Sequence, residues 1–230
     1  MNYELASAPD ATFRRAGYVT IPHMLNPQQL HLVDAALNEA VSRSINLREI
    51  LEFAWCRELS VILRNRLAEL DLIAADYLAV QCTYFEKSVH RNWLVALHQD
   101  LSIPVQSRVE HPELSGWSIK DGTLFVRPPL QVLERLVALR LHIDECGLED
   151  GALRVTPGSH RAGRLSDEDK LRLRVDMGEV LCPVTQGGGM AMSPLVLHAS
   201  SKATGSSRRR VLHFLFGPPE LPNGLSWVKR

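Results

Sequence analysis

The feature that most constrains the fold is a series of eight short β-forming segments in the back two-thirds of the chain, separated by Pro and Gly and without helical patterns between them. Their short length and their β-branched and aromatic residues are typical of strands. Such a series predicts a sandwich or barrel and argues against a doubly wound parallel sheet. The candidate strands are Tyr77–Phe85, Trp93–His98, Leu136–Ile143, Ala152–Thr156, Val180–Val184, Gly189–Ser193, Leu195–Ser200 and Arg210–Phe216.

The front of the chain has a different pattern and is predicted to be helical. Asn26 and Pro27 are a capping residue and a first-turn proline, which together are a common helix start. From Leu30 onward, apolar residues recur at spacings of three and four, which gives one apolar face. The pattern continues from Leu47 to Leu72, so we expect a helical layer in front of the strands.

The composition excludes several classes of protein. The 230 residues carry 26 basic and 26 acidic side chains, so no net charge favours nucleic acid or an anionic membrane. A hydrophobic content of 45% is too high for a disordered chain. Cysteines 56, 82, 146 and 182 form no CxxC pair, which argues against structural zinc. With no apolar run long enough for a membrane and no signal-like N-terminus, we expect a cytoplasmic protein.

A segment rich in Pro and Gly, Leu101–Pro129, lies between two candidate strands. Long loops in compact domains are often lids or binding loops, so we predict a lid-like loop at about 101–129. Its Trp117 and Lys120 are candidates to contact a ligand. The alternative is a solvated excursion anchored by the tryptophan.

The sharpest chemical signal is His98-Gln99-Asp100, at the end of a candidate strand. Residues i and i+2 of a strand point to the same face, so His98 and Asp100 can offer an imidazole and a carboxylate to one metal. His198 ends another candidate strand 100 residues later. Two histidines and one carboxylate leave coordination positions open, which is the ligand set of non-haem Fe(II) oxygenases.

The same pattern occurs a second time, at His142 and Asp144, where Arg140 alternates onto the same face. A second metal-like cluster is therefore an alternative at this point. The simplest interpretation of any one of the nine histidines is a hydrogen-bonded core or surface residue.

Three successive arginines begin the last candidate strand. Alternation places Arg209 on the face of Val211 and His213, and places Arg208 and Arg210 on the opposite face. One face is then free to pack on helices while the other points into a barrel. An arginine inside a barrel needs an anion, because an unpaired buried charge is strongly destabilising. A carboxylate suits it, since the guanidinium donates two parallel hydrogen bonds.

Several segments, in this order, resemble the phytanoyl-CoA dioxygenase family of Fe(II)/2-oxoglutarate-dependent oxygenases. Phe13–Pro22 resembles the family's N-terminal strand, and His98–Asp100 matches its HQD. Asp150–His160 resembles its NGxLxVxPGSH segment, with Asp150 in place of the usual Asn. Pro194–Ser200 matches its distal-histidine strand. Arg209 stands 11 residues after His198, where the family holds the distal carboxylate of 2-oxoglutarate.

The resemblance implies a mainly β protein with flanking helices. Its core would be a double-stranded β-helix (a cupin-like jelly roll) behind an N-terminal helical layer. We expect one domain over residues 1–230, with a helical front at 1–75 and a core at about 76–217.

The resemblance also implies the site. His98, Asp100 and His198 would bind Fe(II), and Arg209 would bind 2-oxoglutarate. Thr83 and Arg140 align with other contacts to this cosubstrate. The implied reaction uses O2 to oxidise, typically to hydroxylate, a C–H bond of a small molecule, with release of succinate and CO2.

The substrate is expected to carry a carboxylate or other anion, because basic residues are among the candidate contacts. These candidates are Lys87, Trp93, Trp117 and Lys120. Two alternatives stay open: a cupin-like metal enzyme that does not use 2-oxoglutarate, and a non-catalytic binding protein on the same fold.

Overall fold

The computed structural model describes residues 8–42 and 48–229 and confirms a mainly β protein with flanking helices. Residues 1–7 and 43–47 of the predicted helical front lie outside the described residues. The helices are α1 (Pro9–Ala16), α2 (Pro27–Ser42), α3 (Ala54–Glu69), α4 (Leu130–Glu134) and α5 (Asp167–Met177). The strands are β1 (Tyr18–Ile21), β2 (Leu78–Lys87), β3 (Val95–His98), β4 (Ile103–Pro104), β5 (Ser115–Lys120), β6 (Thr123–Arg127), β7 (Val137–His142), β8 (Leu153–Thr156), β9 (Val180–Cys182), β10 (Gly189–Met192), β11 (Leu197–Ser200) and β12 (Arg209–Gly217).

Two antiparallel sheets form the jelly-roll core. The larger has the strand order β1-β10-β7-β12-β2, and the smaller has the order β3-β11-β8-β9. Most neighbours within a sheet are distant in the chain, so the two sheets are interleaved along the sequence. All eight candidate strands are present, each ending within two residues of its predicted bounds.

The helical layer packs on the outer face of the larger sheet. The start of α2 is fixed by a reciprocal cap, in which the Gln29 amide donates to Asn26 Oδ1 (2.8 Å) and the Asn26 amide donates to Gln29 Oε1 (3.0 Å). Leu37 of α2 and Leu63 of α3 are fully buried in one apolar cluster with Phe214 of β12. Each such side chain contributes about 1.5–3 kcal/mol by its burial. This cluster supports the outer face of the larger sheet.

The inner faces of the two sheets enclose a second apolar cluster and a cavity. Strand β12 shows the division clearly. Leu212, Phe214 and Phe216 belong to the cluster shared with the helices, whereas Arg209 and His213 line the cavity. The predicted alternation of this strand is therefore confirmed.

The front of the chain contains β1 as well as helices. The helix α1 is followed by Gly17, with a φ of 81°, and β1 then pairs with β10, as the resemblance of Phe13–Pro22 to an N-terminal strand predicts. The middle of the chain differs from the sequence prediction. The segment 101–129 is not an irregular loop, because β4, β6 and β5 form a three-stranded antiparallel sheet within it. Ile103 and Val126 of this sheet are fully buried and belong to the apolar cluster between the two larger sheets.

A helix that was not predicted, α5, lies between β8 and β9. It has no buried residue, and Leu171 and Val175 are exposed, so no apolar stripe marks it in the sequence. The available signal was its cap: Ser166 accepts a hydrogen bond from the Asp169 amide (3.1 Å), ahead of an acidic first turn. No described helix is long and apolar enough to cross a membrane.

Candidate metal centre

The pairing of β3 with β11 brings the two predicted histidine ligands together. His98 and His198 are direct partners in the antiparallel register, and their ring centroids are 4.1 Å apart. Asp100 lies just beyond the end of β3, where its amide donates to the Pro194 carbonyl (2.8 Å). The potential ligand atoms of His98, Asp100 and His198 all lie within 4.8 Å of one another. The sheet therefore brings His198 next to His98 and Asp100, although the two histidines are 100 positions apart in the sequence.

Hydrogen bonds fix which ring nitrogen of each histidine faces this point. His98 Nδ1 is 2.8 Å from the Ala96 carbonyl, and His198 Nδ1 is 3.0 Å from the Val196 carbonyl. A carbonyl only accepts, so each neutral ring carries its proton on Nδ1 and leaves the Nε2 lone pair free. The Nε2 atoms of His98 and His198 are 3.6 and 3.8 Å from the Asp100 carboxylate oxygens. A metal with bonds of about 2.0–2.2 Å can bridge atoms at such separations.

Gln99, the middle residue of HQD, holds this turn in place. Its side chain is buried, and its amide donates to the carbonyls of Gly163 and Leu195, each at 2.7 Å. Its oxygen accepts from the Leu165 amide (3.0 Å). The glutamine thus joins the metal turn to two neighbouring loops and does not itself present a ligand.

The electrostatics of the trio favour an ionised Asp100 carboxylate and a neutral His198. Burial raises the pKa of Asp100, but the hydrogen bond with His98 and the nearby imidazoles outweigh it and hold that pKa well below its usual range. Burial lowers the pKa of His198 to about 4. Burial also lowers the pKa of His98, but the hydrogen bond and charge of Asp100 outweigh it, and the net shift is upward from 6.5. This is the donor set that a divalent transition metal takes.

The trio faces a cavity of about 420 Å³ between the two sheets. Among the described residues that line it, Asp100 is the only acid. The lining cations are Arg48, Lys87, Lys120, Arg140 and Arg209. The volume is within the range of small-molecule sites. Such an excess of positive charge calls for anionic ligands.

Arg209 lies in this cavity, as the alternation of β12 predicts, and it is 4% exposed. Its Nη1 donates to the Gly151 carbonyl and contacts Cys146 Sγ at 3.8 Å, and its buried Nε has no hydrogen-bond partner among the described residues. Gly151 has a φ of 66°, and a Cβ there would lie 2.6 Å from the Ser201 carbonyl. Glycine is therefore required where the predicted Asp150-Gly151 turn supports the arginine.

Two further buried cations accompany Arg209. Lys87 is its direct cross-strand partner on β2, is 1% exposed and donates to Ser200 Oγ (2.6 Å). Arg140 on β7 is 8% exposed, and its Nε also has no partner among the described residues. Burial and the charges of Arg209 and Arg140 lower the pKa of Lys87 to about 8. Buried donors without partners are costly, so this end of the cavity fits a carboxylate-bearing ligand.

The other predicted contacts divide between the cavity and the exterior. Thr83 lines the cavity on β2, and Trp93 lines it with its ring 5.8 Å from Lys87 Nζ. Lys120 lines it from β5 and donates to Ser102 Oγ (3.0 Å). Trp117 lies outside the cavity. It packs on the second apolar cluster, and Arg108 lies over its ring, with Cζ 5.5 Å from the ring centroid. The structure thus corrects the prediction for Trp117, whose strand turns it away from the side occupied by Lys120.

The second HxD pair forms no metal cluster. Asp144 lies past the end of β7, and its oxygens accept from Arg210 Nε (2.8 Å) and Nη2 (2.6 Å). Arg210 also binds Asp34 and Asn38 of α2. His142 stays buried in the strand. The alternative of a second metal-like site is therefore not supported, because Asp144 points to the helical layer.

Strand alternation places His213 on the inner face of β12 but does not indicate a role for it. It lines the cavity between Thr83 and Arg140 in the strand register, with Nε2 3.8 Å from Asp100 Oδ2. Burial and the Arg140 charge lower its pKa to about 3, so the ring is neutral. Its shared alternation with Arg209 was the signal available in the sequence.

Comparison with known proteins supports the fold and identifies a family. The profile of the phytanoyl-CoA dioxygenase (PhyH) family matches residues 13–211. No curated protein sequence matches the chain.

Several proteins of known structure have a similar fold. The non-heme alpha ketoglutarate dependent carbocyclase SnoK from nogalamycin biosynthesis is 17% identical, with a TM-score of 0.64 over 96% of this chain and 89% of that one. The epimerase SnoN, in complex with Fe3+, alpha ketoglutarate and nogalamycin RO, is 15% identical, with a TM-score of 0.71 over 96% and 92%. EctD from S. alaskensis with bound Fe is 16% identical, with a TM-score of 0.68 over 100% and 84%. At these identities the likeness shows the jelly-roll fold.

Proposed function

The chain belongs to the phytanoyl-CoA dioxygenase family of Fe(II)/2-oxoglutarate-dependent oxygenases, and we propose that His98, Asp100 and His198 hold its iron and that Arg209 holds 2-oxoglutarate. The observation that carries the proposal is the combination of the His-Asp-His trio with three buried cations in one cavity. When bound, iron and 2-oxoglutarate activate O2, and the cosubstrate leaves as succinate and CO2 while a C–H bond of the substrate is oxidised.

The protein's own groups have separate tasks in this scheme. The Nδ1 hydrogen bonds of His98 and His198 orient their Nε2 lone pairs, and Asp100 supplies the negative charge. Arg209 offers its unpaired Nε to a carboxylate, and Lys87 and Arg140 add positive charge beside it. Thr83 offers a hydroxyl on the same wall.

Anaerobic titration with Fe(II) and 2-oxoglutarate tests this proposal. We expect a weak metal-to-ligand absorption band in the visible when both are present, and none with the Asp100→Ala variant. If the wild-type protein binds iron but 2-oxoglutarate produces no band and does not bind, a cupin-like metal enzyme that does not use 2-oxoglutarate is favoured. If neither binds, the chain is a binding protein on an oxygenase fold.

We propose hydroxylation as the reaction type, because it is the typical outcome of the reaction that the family resemblance implies. The test is the incorporation of one oxygen atom from labelled O2 into the product. A product without the label, formed with stoichiometric succinate, would indicate desaturation, cyclisation or epimerisation instead.

We also propose that the substrate is a small molecule that carries a carboxylate or another anion. The charges of Fe(II) and 2-oxoglutarate cancel, and Arg48 is paired with Asp121 (2.6 Å). The four other lining cations, Lys87, Lys120, Arg140 and Arg209, still outnumber the single acid of the described lining. Lys120 is the candidate partner: its Nζ lies 4.7 Å from the Phe125 ring centroid, and burial together with the Arg48 charge lowers its pKa. Trp93 adds a flat apolar ring to the same cavity.

A screen that measures succinate release compares acids with their neutral amides and esters. We expect acids to be favoured, and we expect Lys120→Met to remove that preference with little change in the apparent KM for 2-oxoglutarate. Equal turnover of acids and amides by the wild-type protein would contradict this proposal.

Finally, we propose that the chain is one oxygenase domain in which the segment 101–129 closes over the cavity mouth. The proposal is supported by Ser102, Lys120 and Phe125 of this segment, which line the cavity. Limited proteolysis with and without substrate tests the closure. Substrate should protect the segment; equal cleavage under both conditions would count against a lid.

A further inference from the structure

We infer that His213 is a positioning residue for the metal centre: it donates a hydrogen bond from Nε2 to the Asp100 carboxylate and holds that carboxylate in its ligating orientation. This inference rests on the proposed metal site and adds a residue that neither the HxD motif nor the distal histidine specifies. It is carried by the geometry around one imidazole ring.

The position of His213 follows from the strand register. His213 pairs with Thr83 on β2 and with Arg140 on β7, so it stands between two residues that also line the cavity. The Phe85 ring contacts it edge-on, with centroids 6.0 Å apart. The side chain is 13% exposed. The ring is therefore held from both neighbouring strands and has little freedom to turn away.

Arg140 determines which nitrogen of His213 carries the proton. Arg140 Nη1 lies 3.5 Å from His213 Nδ1. A guanidinium has donors only, so Nδ1 must accept, and the neutral ring carries its hydrogen on Nε2. This is the opposite tautomer from His98 and His198, whose protons are on Nδ1. His213 is thus a donor where the two metal-ligand histidines present lone pairs.

The Nε2 donor points to the carboxylate of the trio. His213 Nε2 and His198 Nε2 each lie 3.8 Å from Asp100 Oδ2, and His98 Nε2 lies 3.6 Å from Oδ1. A carboxylate that gives one oxygen to a metal has its second oxygen free to accept a hydrogen bond, and such partners orient metal ligands. A small rotation of Asp100 would bring Oδ2 within hydrogen-bond distance of Nε2, and the donor would then hold that oxygen in place.

The competing explanation is that His213 is itself a fourth metal ligand. The ligand atoms that lie within 4.8 Å of one another belong to His98, Asp100 and His198, and His213 is not in that group. Its lone pair on Nδ1 also faces Arg140, away from the trio. The geometry therefore favours the donor role.

The experiment titrates the purified full chain with Co(II) and follows the visible absorption of the bound metal, so it needs no substrate. The variants are His213→Phe, which keeps a ring without a donor, and His213→Gln, whose amide can donate from a similar position. Leu215→Ala is the matched control, because Leu215 also lines the cavity from β12 but has no donor. Thermal unfolding by circular dichroism verifies that each variant is folded, and His213→Leu replaces His213→Phe if the latter is not.

Loss of an outer-shell partner typically weakens metal binding by about 10- to 100-fold. We expect that increase in Kd for His213→Phe, together with a weaker Co(II) band as the carboxylate takes up a further coordination position. His213→Gln should recover most of the affinity and the wild-type spectrum, and Leu215→Ala should retain both.

Two outcomes would overturn the inference. One is wild-type affinity and spectrum in folded His213→Phe. The other is a folded His213→Gln that is as weak as His213→Phe, which would indicate a direct ligand. Failure of the proposed metal site is distinguishable, since the wild-type protein would then bind no Co(II), or would bind it equally well with Asp100→Ala.

Discussion

The chain contains the pattern His-x-Asp twice, and the two copies have different tasks. At His98 and Asp100 both side chains face the cavity and meet His198. At His142 and Asp144 the histidine is buried in β7, while the aspartate binds Arg210 on the side of the helical layer. The first copy ends a strand of the smaller sheet, and the second ends a central strand of the larger sheet.

The difference between the copies lies in what each aspartate meets after its strand ends. Asp100 is held by its backbone to Pro194, next to the β11 strand that carries the second histidine. Asp144 receives the Arg210 amide (2.9 Å) as well as its guanidinium. The neighbouring arginines divide in the same way, since Arg209 faces the cavity and Arg210 faces α2. The same His-x-Asp pattern therefore acquires a chemical or a structural task from its partners.

The largest expected effect separates the two aspartates. Asp100→Ala should abolish metal binding and activity, because it removes the only acid among the described residues of the cavity lining. Asp144→Ala should keep near-normal metal affinity. Titration of both variants with Fe(II) under anaerobic conditions measures this. Loss of metal in Asp144→Ala with retention in Asp100→Ala would reverse the assignment.

The next effect separates the two arginines. Arg209→Ala should raise the apparent KM for 2-oxoglutarate by about 10- to 150-fold, since a charge-assisted contact contributes roughly 1.5–3 kcal/mol and each 1.4 kcal/mol is tenfold. Arg209→Lys should reverse only part of this increase in KM, because an ammonium group lacks the planar set of donors of a guanidinium. Iron affinity should change little.

Exposed Arg208 provides the control for this prediction. Arg208→Ala should leave the KM for 2-oxoglutarate unchanged, and Arg210→Ala should act on stability instead. A large KM effect in Arg208→Ala or Arg210→Ala, without one in Arg209→Ala, would contradict the strand alternation. No effect in any of the three would favour an enzyme that does not use 2-oxoglutarate.

A pH titration tests the first copy without any mutation. The proton and the metal compete for the Nε2 of His98, whose pKa is raised above 6.5 by Asp100 against the opposing effect of burial. Metal affinity should therefore fall as the pH drops through that raised pKa, by about tenfold per unit below it. Asp144→Ala should show the same profile. An affinity that is constant between about pH 8 and 5.5 would contradict histidine ligation.

The smallest effect concerns the structural copy. Asp144→Ala removes the main partner of Arg210, which is 4% exposed, but Asp34 still contacts the guanidinium. We expect a loss of about 2–3 kcal/mol in the free energy of unfolding, which lowers the Tm by roughly 4–12 °C in a chain of this size. Arg210→Ala combined with Asp144→Ala should cost less than the sum of the single variants. Additive losses would mean that the pair is not coupled.

Several features of this protein were determined by the sequence alone. Strand and helix periodicity located all eight candidate strands and the helical layer, because burial on one face leaves a repeating pattern. The same alternation assigned Arg209 to the cavity side of β12. Ordered motifs identified the family and proposed the ligands before any geometry was available. These are properties of neighbours in the chain, and local chemistry encodes them.

Other features depended on the tertiary structure. The sequence did not predict α5, which has no buried face, or the three-stranded sheet within 101–129, whose short strands are separated by Pro and Gly. It could not show that Trp117 faces outward while Lys120 enters the cavity. Nor could it assign a task to His142 and Asp144 or to His213, because both depend on contacts such as Asp144 with Arg210 and His213 with Asp100. Those contacts join residues about 66 and 113 positions apart, and only the packing of sheet on sheet and helix on sheet brings them together.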